Sequence, residues 1–238
     1  GSLMNVKDTV AVCSRSFSKH PGLREEILRR YANVKFNDMG LKLEGELLIE
    51  FLSGATKAIT ALEEINDAVL SQLPSLKVIG KYGVGTDMVD MSAMNKYGVS
   101  FGWTGGVNKR SVSEMVISLI VVMLRHLAVA QRDVVAGHWQ QRVGGLLSGR
   151  TVGVIGCGFV GKDLITLLKP WGCNFLAHDT LEFKDFYEEY QVKPVSLNYL
   201  LQQSDVISIH LPLDYSTRNL LNADKLRHLK SSCILINA

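Results

Sequence analysis

TVGVIGCGFVGKDLITLLK, residues 151–169, is the stretch whose reading decides the fold. TVGVIG (151–156) is an apolar, largely β-branched run closed by glycine, which reads as a buried strand. Glycines at 156, 158 and 161 give the G-x-G-x-x-G spacing, and Val160, Leu164, Leu167 and Leu168 then recur at helical intervals. The helix is ended by Pro170 and Gly172, and NFLAHD (174–179) is the next strand, with Asp179 standing 18 residues after Gly161. The glycine spacing alone is a weak signal. Strand, glycine turn, helix, strand and acid in this order meet the contextual tests for a dinucleotide-binding unit.

Each position in the turn has a physical job. Gly156 permits the tight turn, Gly158 leaves no Cβ in the way of a pyrophosphate, and Gly161 lets the helix pack closely on the strand. Free N–H groups at the helix start then face the anion. Asp179 is placed to accept from adenosine ribose hydroxyls. No Arg follows it in HDTLEF, so a 2′-phosphate would meet an uncompensated negative charge, which favours NAD over NADP. The competing reading is a glycine-rich turn in a flavodoxin-like domain with no dinucleotide.

Outward from this unit the same alternation recurs. Toward the N-terminus, TVAVCS (9–14), NVKF (33–36), AIT (58–60) and LKVIG (76–80) read as strands, and LREEILRRY places Leu23, Ile27, Leu28 and Tyr31 on one helical face. Toward the C-terminus, DVISIHLP (205–212) and CILINA (233–238) are strands, the latter read as buried with Asn237 near its ligand-binding end. The pattern predicts an α/β protein with parallel sheets in two domains, residues 1–101 and 102–238. Between them SVSE (111–114) reads as a capping box, with Ser111 and Glu114 bonding reciprocally to start a helix through Arg125. A catalytic Glu114 is the less favoured alternative. That helix is apolar around most of its circumference, so it is expected to be buried between domains or between subunits.

Composition excludes several classes. The 238 residues are 47% hydrophobic and 21% charged with a formal net charge of +3, which argues against nucleic acid. The longest apolar stretch, MVISLIVVML (115–124), falls short of the roughly 18 residues of a membrane span. GSLM at the start reads as a cloning scar before Met4, without a signal peptide. Cys13, Cys157, Cys173 and Cys233 are far apart with no C-x-x-C pair, so they read as buried thiols in a reducing, cytoplasmic setting, with no metal site. His20, His126, His138 and His228 read as solvated or satisfied side chains. His178, which precedes Asp179, reads as filling space beside the adenine, and His210 ends a strand on the ligand side.

Six segments together resemble the D-isomer-specific 2-hydroxyacid dehydrogenase family, in its phosphoglycerate dehydrogenase-like form: LKVIGKYGVGTDMVDMSAMNKYGV, NKRSVSEMVISLIVVMLR, GHW, LSGRTVGVIGCGFVGKDLITLLKPWGCNFLAHD, SDVISIHLPLDYSTRNLLN and ILINA. The resemblance runs from about Leu76 to the end. It implies a flavodoxin-like substrate domain and a Rossmann NAD-binding domain, incomplete at the C-terminus. It implies NAD as cofactor, a small 2-hydroxyacid or 2-oxoacid substrate, and a homodimer through the helix after Ser111 and the segment to Trp139.

Residue by residue, Lys81, Tyr82, Gly83, Val84 and Gly85 match the loop whose amides hold the substrate carboxylate, and Asn108 matches a polar position facing the cleft. Gly156, Gly158, Phe159, Val160, Gly161 and Asp179 match the cofactor loop and ribose acid. His210, Pro212 and Thr217 match the segment beside adenosine and pyrophosphate, and Asn237 and Ala238 the strand end nearest the cofactor. The catalytic Arg, acid and His implied by the resemblance are expected beyond Ala238. Members acting on 3-phosphoglycerate commonly carry an Arg where this chain has Thr60, which speaks against a phosphate-bearing substrate. Arg15 and Lys19 are either anion ligands or an ordinary solvated loop. A reading from another class, an NAD(H)-sensing module like the C-terminal-binding corepressors, rests on the same cofactor fold.

Overall fold

Apolar runs too short for helices and separated by helical segments leave parallel pairing as the way to satisfy each strand's backbone. The computed structural model describes residues 3–83, 85–103, 106–211 and 217–238, and divides the chain into two units, Gly1–Gly105 and Gly106–Ala238.

The first unit runs β1 (Asn5–Val12), α1 (Arg15–Lys19), α2 (Pro21–Arg30), β2 (Tyr31–Phe36), α3 (Gly45–Leu52), β3 (Lys57–Thr60), α4 (Asp67–Leu70), β4 (Val78–Lys81), α5 (Met91–Lys96) and β5 (Ser100–Gly102). Its strands pair in parallel in the order β2-β1-β3-β4-β5, the flavodoxin-like arrangement. One face is covered around Leu48, Leu52, Leu70, Ile79 and Met94, the other around Val10, Val12, Phe17 and Ile27.

The second unit runs α6 (Lys109–Leu124), α7 (Leu127–Val135), β6 (Thr151–Ile155), α8 (Phe159–Leu168), β7 (Asn174–His178), α9 (Lys184–Tyr190), β8 (Val192–Pro194), α10 (Leu197–Gln203), β9 (Val206–Ile209), α11 (Ala223–Leu226) and β10 (Ile234–Asn237). Its sheet, ordered β10-β9-β6-β7-β8 and parallel throughout, has the Rossmann order with the first strand, β6, at the centre. Successive residues of β6 serve opposite faces. Val152 and Val154 pack with Leu164, Leu168 and Ile120, while Ile155 packs with Leu200 and Leu201.

Several local expectations are corrected. The helix expected to start at Ser111 starts at Lys109, with Asn108 as its N-cap, so Ser111 lies inside the first turn and caps nothing. The turn at Gly106, with φ +74°, delivers the chain into the helix two residues early. Outward side chains of α6 stay exposed in this chain, Met115 and Met123 at about half. Leu28 is 43% exposed and Tyr31 opens β2, because α2 presents only Ile27 fully to the core. β10 alternates buried and exposed residues at the edge of the described sheet, so Leu235 faces outward and the strand is not covered on both sides as its apolar run predicts.

The packing of α10 on β6 makes a direct prediction. A Cβ on Gly153 would run into Ser204 Oγ and stand 2.7 Å from Leu200 Cδ2. Gly153→Ala should therefore cost about 1–3 kcal/mol of stability, read as a lower urea midpoint with an unchanged slope.

Candidate functional site

The order of the second sheet reverses between β6 and β9, so a crevice opens beyond their carboxyl ends. The glycine turn lies there. Gly156 has φ +86°, and a Cβ on it would stand 2.5 Å from the His210 carbonyl oxygen. The Gly156 N–H donates to the His178 carbonyl at 2.9 Å and the His210 N–H to the Ile155 carbonyl at 2.8 Å, which ties the turn to strands on both sides. A Cβ on Gly161 would stand 2.5 Å from the Gly156 carbonyl oxygen and 3.0 Å from Val154 Cγ1, so α8 lies close against β6.

Gly158 differs from both neighbours in the motif. Among the described residues a Cβ there would meet nothing within 4 Å. Gly158 is the N-cap of α8, which has no side-chain cap and no acid in its first turn. No described side chain caps its first amides, which suits an anion occupying the crevice. Asp179 follows β7, and its Oδ2 accepts the Cys157 N–H at 2.7 Å while Oδ1 accepts the Leu181 N–H at 3.0 Å. The acid is thereby fixed at the mouth of the turn, beside a cavity of about 240 Å³ lined by Leu181, Tyr187 and Pro194 among others. Open space at Gly158, uncapped amides and a fixed carboxylate fit a dinucleotide's pyrophosphate and ribose.

Other expected residues gather less closely. His210 is half-buried beyond β9 with Nε2 2.6 Å from Ser208 Oγ, and burial pulls its pKa down to about 4. Phe159 is 57% exposed at the start of α8 and Val160 half-buried behind it. Asn237 pairs in register with Ile209 and the Ala238 N–H donates to the Ile209 carbonyl, both residues being exposed. Thr217 sits in a turn whose carbonyl accepts from Leu220; Pro212 lies outside the described residues.

In the first unit Lys81 ends β4 and Tyr82, Gly83 and Gly85 follow it in the loop, with Val84 outside the described residues. The Tyr82 N–H donates to the Thr60 carbonyl at 2.7 Å, the Tyr82 ring meets Phe17 edge-on, and Gly83 at φ +114° takes a conformation suited only to glycine. Partial burial lowers the Lys81 pKa, opposed by Glu63 and Asp87. Asn108 is not part of this loop; it is exposed at the start of α6 in the second unit. Arg15 and Lys19 are exposed on α1, and Thr60 is fully buried.

His20 caps α2 by accepting the Leu23 N–H, and His178 Nδ1 lies 3.0 Å from the Val195 carbonyl. Burial pushes the Cys157 thiol up to about 11, so the thiol is inert and only its N–H serves the turn. Among the described residues no His, Cys, Asp or Glu cluster could hold a metal ion, and no single helix is long and apolar enough to cross a membrane.

Sequence reasoning missed Arg110, whose guanidinium forks onto Asp163 of α8. The single acid in FVGKDLITLL, placed directly before the apolar Leu164 and Ile165, was the available signal.

The half-buried His210 yields a pH prediction. Its folded pKa lies below the ordinary 6.5, so between pH 6.5 and about 4 the unfolded chain takes up a proton that the folded chain refuses. Stability is lost as pH falls through that window and unaffected above it. His210→Gln should remove about 2 kcal/mol of the difference between urea unfolding at pH 7.5 and at pH 5.

Comparison with known proteins agrees with this geometry. Residues 117–238 match the family model of the D-isomer specific 2-hydroxyacid dehydrogenase NAD binding domain. A D-3-phosphoglycerate dehydrogenase of Archaeoglobus fulgidus is 32% identical over 195 residues, covering 81% of this chain and 37% of the relative. A glyoxylate reductase of Thermofilum pendens is 31% identical over 242 residues, covering 99% of this chain and 66% of the relative. The chain thus spans between about a third and two thirds of these relatives' lengths. The same fold is seen in D-lactate dehydrogenase from Aquifex aeolicus, solved with NAD and lactic acid, at a TM-score of 0.83 and 23% identity over 97% of this chain and 68% of that one.

Proposed function

The chain belongs to the D-isomer specific 2-hydroxyacid dehydrogenases and carries their NAD-binding domain, and from that premise we propose that it serves an NAD-dependent oxidoreductase acting on a small D-2-hydroxyacid or the matching 2-oxoacid. Bound nicotinamide would exchange hydride with the substrate C2. The observation that carries the reading is the Asp179 carboxylate held by the Cys157 N–H across a glycine turn with open space at Gly158.

In this reading the amides at the start of α8 bind the pyrophosphate and Asp179 accepts from the adenosine ribose. With its two oxygens already set by Cys157 and Leu181, the carboxylate has no freedom to turn away from a 2′-phosphate. His210, neutral near pH 7, contributes shape beside the cofactor and no charge. Beyond β4, where the Tyr82 N–H is already engaged by the Thr60 carbonyl, Gly83 and Gly85 offer their amides to the substrate carboxylate. Proton transfer is assigned to none of the described side chains. Thr60, fully buried, offers no cation for a phosphate, which favours an unphosphorylated hydroxyacid. Four free cysteines suit a cytoplasmic setting. The corepressor-like alternative has no observation of its own.

Calorimetric titration tests the cofactor. NAD or NADH should bind at least tenfold more tightly than the NADP forms, and Asp179→Ala should abolish most of that preference; equal affinities in the unsubstituted chain would sink the reading. Gly158→Ala should leave the melting temperature nearly unchanged, since its Cβ meets nothing, while weakening NAD by about tenfold or more.

Homodimer formation is the second part of the proposal. Met115, Leu119 and Met123 on α6, Val135 at the end of α7, and Trp139 and Val143 beyond it are all exposed, the last two at 92%. A surface this apolar is rarely left to water. Sedimentation should give twice the chain mass, and Trp139→Glu should shift it toward the monomer.

A further inference from the structure

Asp163 is the only acid in α8 and lies one turn behind the helix start, with its side chain 6% exposed beside Leu164 and Ile165. A carboxylate so covered is costly unless it is paired. Arg110 pairs it in a fork, Nε to Oδ2 at 2.9 Å and Nη2 to Oδ1 at 2.8 Å. These bonds are the largest reason why the Asp163 carboxyl lies below the usual carboxylate range, with Lys109 acting in the same direction. Two further contacts bring α6 and the turn before it against the first turn of α8. Ser113 Oγ donates to the Val160 carbonyl at 3.4 Å, and a Cβ on Gly106 would stand 2.5 Å from Phe159 Cγ.

The position of this charge matters for the crevice. Asp163 lies four positions after Phe159, about 6 Å along the helix axis. A pyrophosphate on the first amides of α8 would therefore feel the Asp163 charge, which opposes the positive end of the helix dipole. The first turn itself carries no acid.

We propose that Arg110 is a positioning residue for the dinucleotide: by forking onto Asp163 it neutralises the one acid of α8 and keeps the start of that helix attractive to the pyrophosphate. This rests on the dinucleotide reading of that turn. A purely structural ion pair makes a different forecast, because either partner's loss would then weaken the site alike. Charge neutralisation makes the two losses unequal, since only removal of Arg110 leaves a bare carboxylate near the anion.

The test is calorimetric titration of the 238-residue chain with NAD at low and high salt for the unsubstituted protein, Arg110→Gln, Asp163→Asn and the double variant, with melting temperatures taken without NAD. Arg110→Gln should bind NAD about three- to tenfold more weakly, with the loss shrinking at high salt. Asp163→Asn and the double variant should stay within about twofold of the unsubstituted chain, although melting temperature falls in both single variants. Arg110→Lys, which keeps the charge, should retain most of the affinity and carries the test if Arg110→Gln does not fold. Equal weakening by Arg110→Gln and Asp163→Asn, a double variant no better than Arg110→Gln, or an Arg110→Lys affinity tenfold reduced would each overturn the proposal. Absence of NAD binding in the unsubstituted chain would overturn the dinucleotide reading and this inference together, whereas normal binding there with equal single variants overturns this inference alone.

Discussion

The backbone at residue 156 passes the His210 carbonyl so closely that a side chain there would stand 2.5 Å from its oxygen, at a φ of +86°. This approach lets the ends of β6 and β9 remain hydrogen-bonded right up to the point where the sheet order reverses. A larger residue would push the turn off β9 and misdirect the start of α8. Gly161 then brings the helix down onto β6, and between these two crowded glycines Gly158 is left open. The crevice is thus a gap bounded by two contacts that admit no Cβ.

What surrounds the gap is polar backbone held in place by backbone. Gly156, Cys157 and His210 each spend an N–H on a neighbour, the His178 carbonyl, the Asp179 carboxylate and the Ile155 carbonyl respectively. The uncapped amides of α8 are the exception, and a helix start without a cap suits an external anion. Such a site is sensitive to nearby charge because its donors are partial charges. A full carboxylate one turn away can rival them, which is why the partner of Asp163 bears on binding as well as on packing.

The first unit repeats the device on a smaller scale. Strand β4 ends in a turn whose Tyr82 N–H is already engaged by Thr60 and whose Gly83 backbone is left-handed. Both units therefore place their least side-chain-encumbered backbone at the carboxyl ends of parallel strands, where this class of sheet binds ligands.

The sequence by itself determined the strands β1, β2, β3, β4, β6, β7, β9 and β10 and the helix α8, because an apolar run or a helical period marks each of them. It also determined the glycine turn and Asp179, since φ freedom and missing side chains are written in residue type. The three-residue strands β5 and β8 escaped, being too short to show a period and formed only by pairing with neighbours. The start of α6 was misread because SVSE satisfies a local rule that the turn at Gly106 and the Arg110–Asp163 fork override. Nor could local sequence reveal that Asp179 would receive the Cys157 N–H, that His210 would be buried beside Ser208, or that Arg110 would meet an acid 53 residues away. Tertiary structure alone decided these, because a charge, a hydrogen bond and a desolvation penalty depend on what packing brings near, and packing joins residues that the chain order keeps apart.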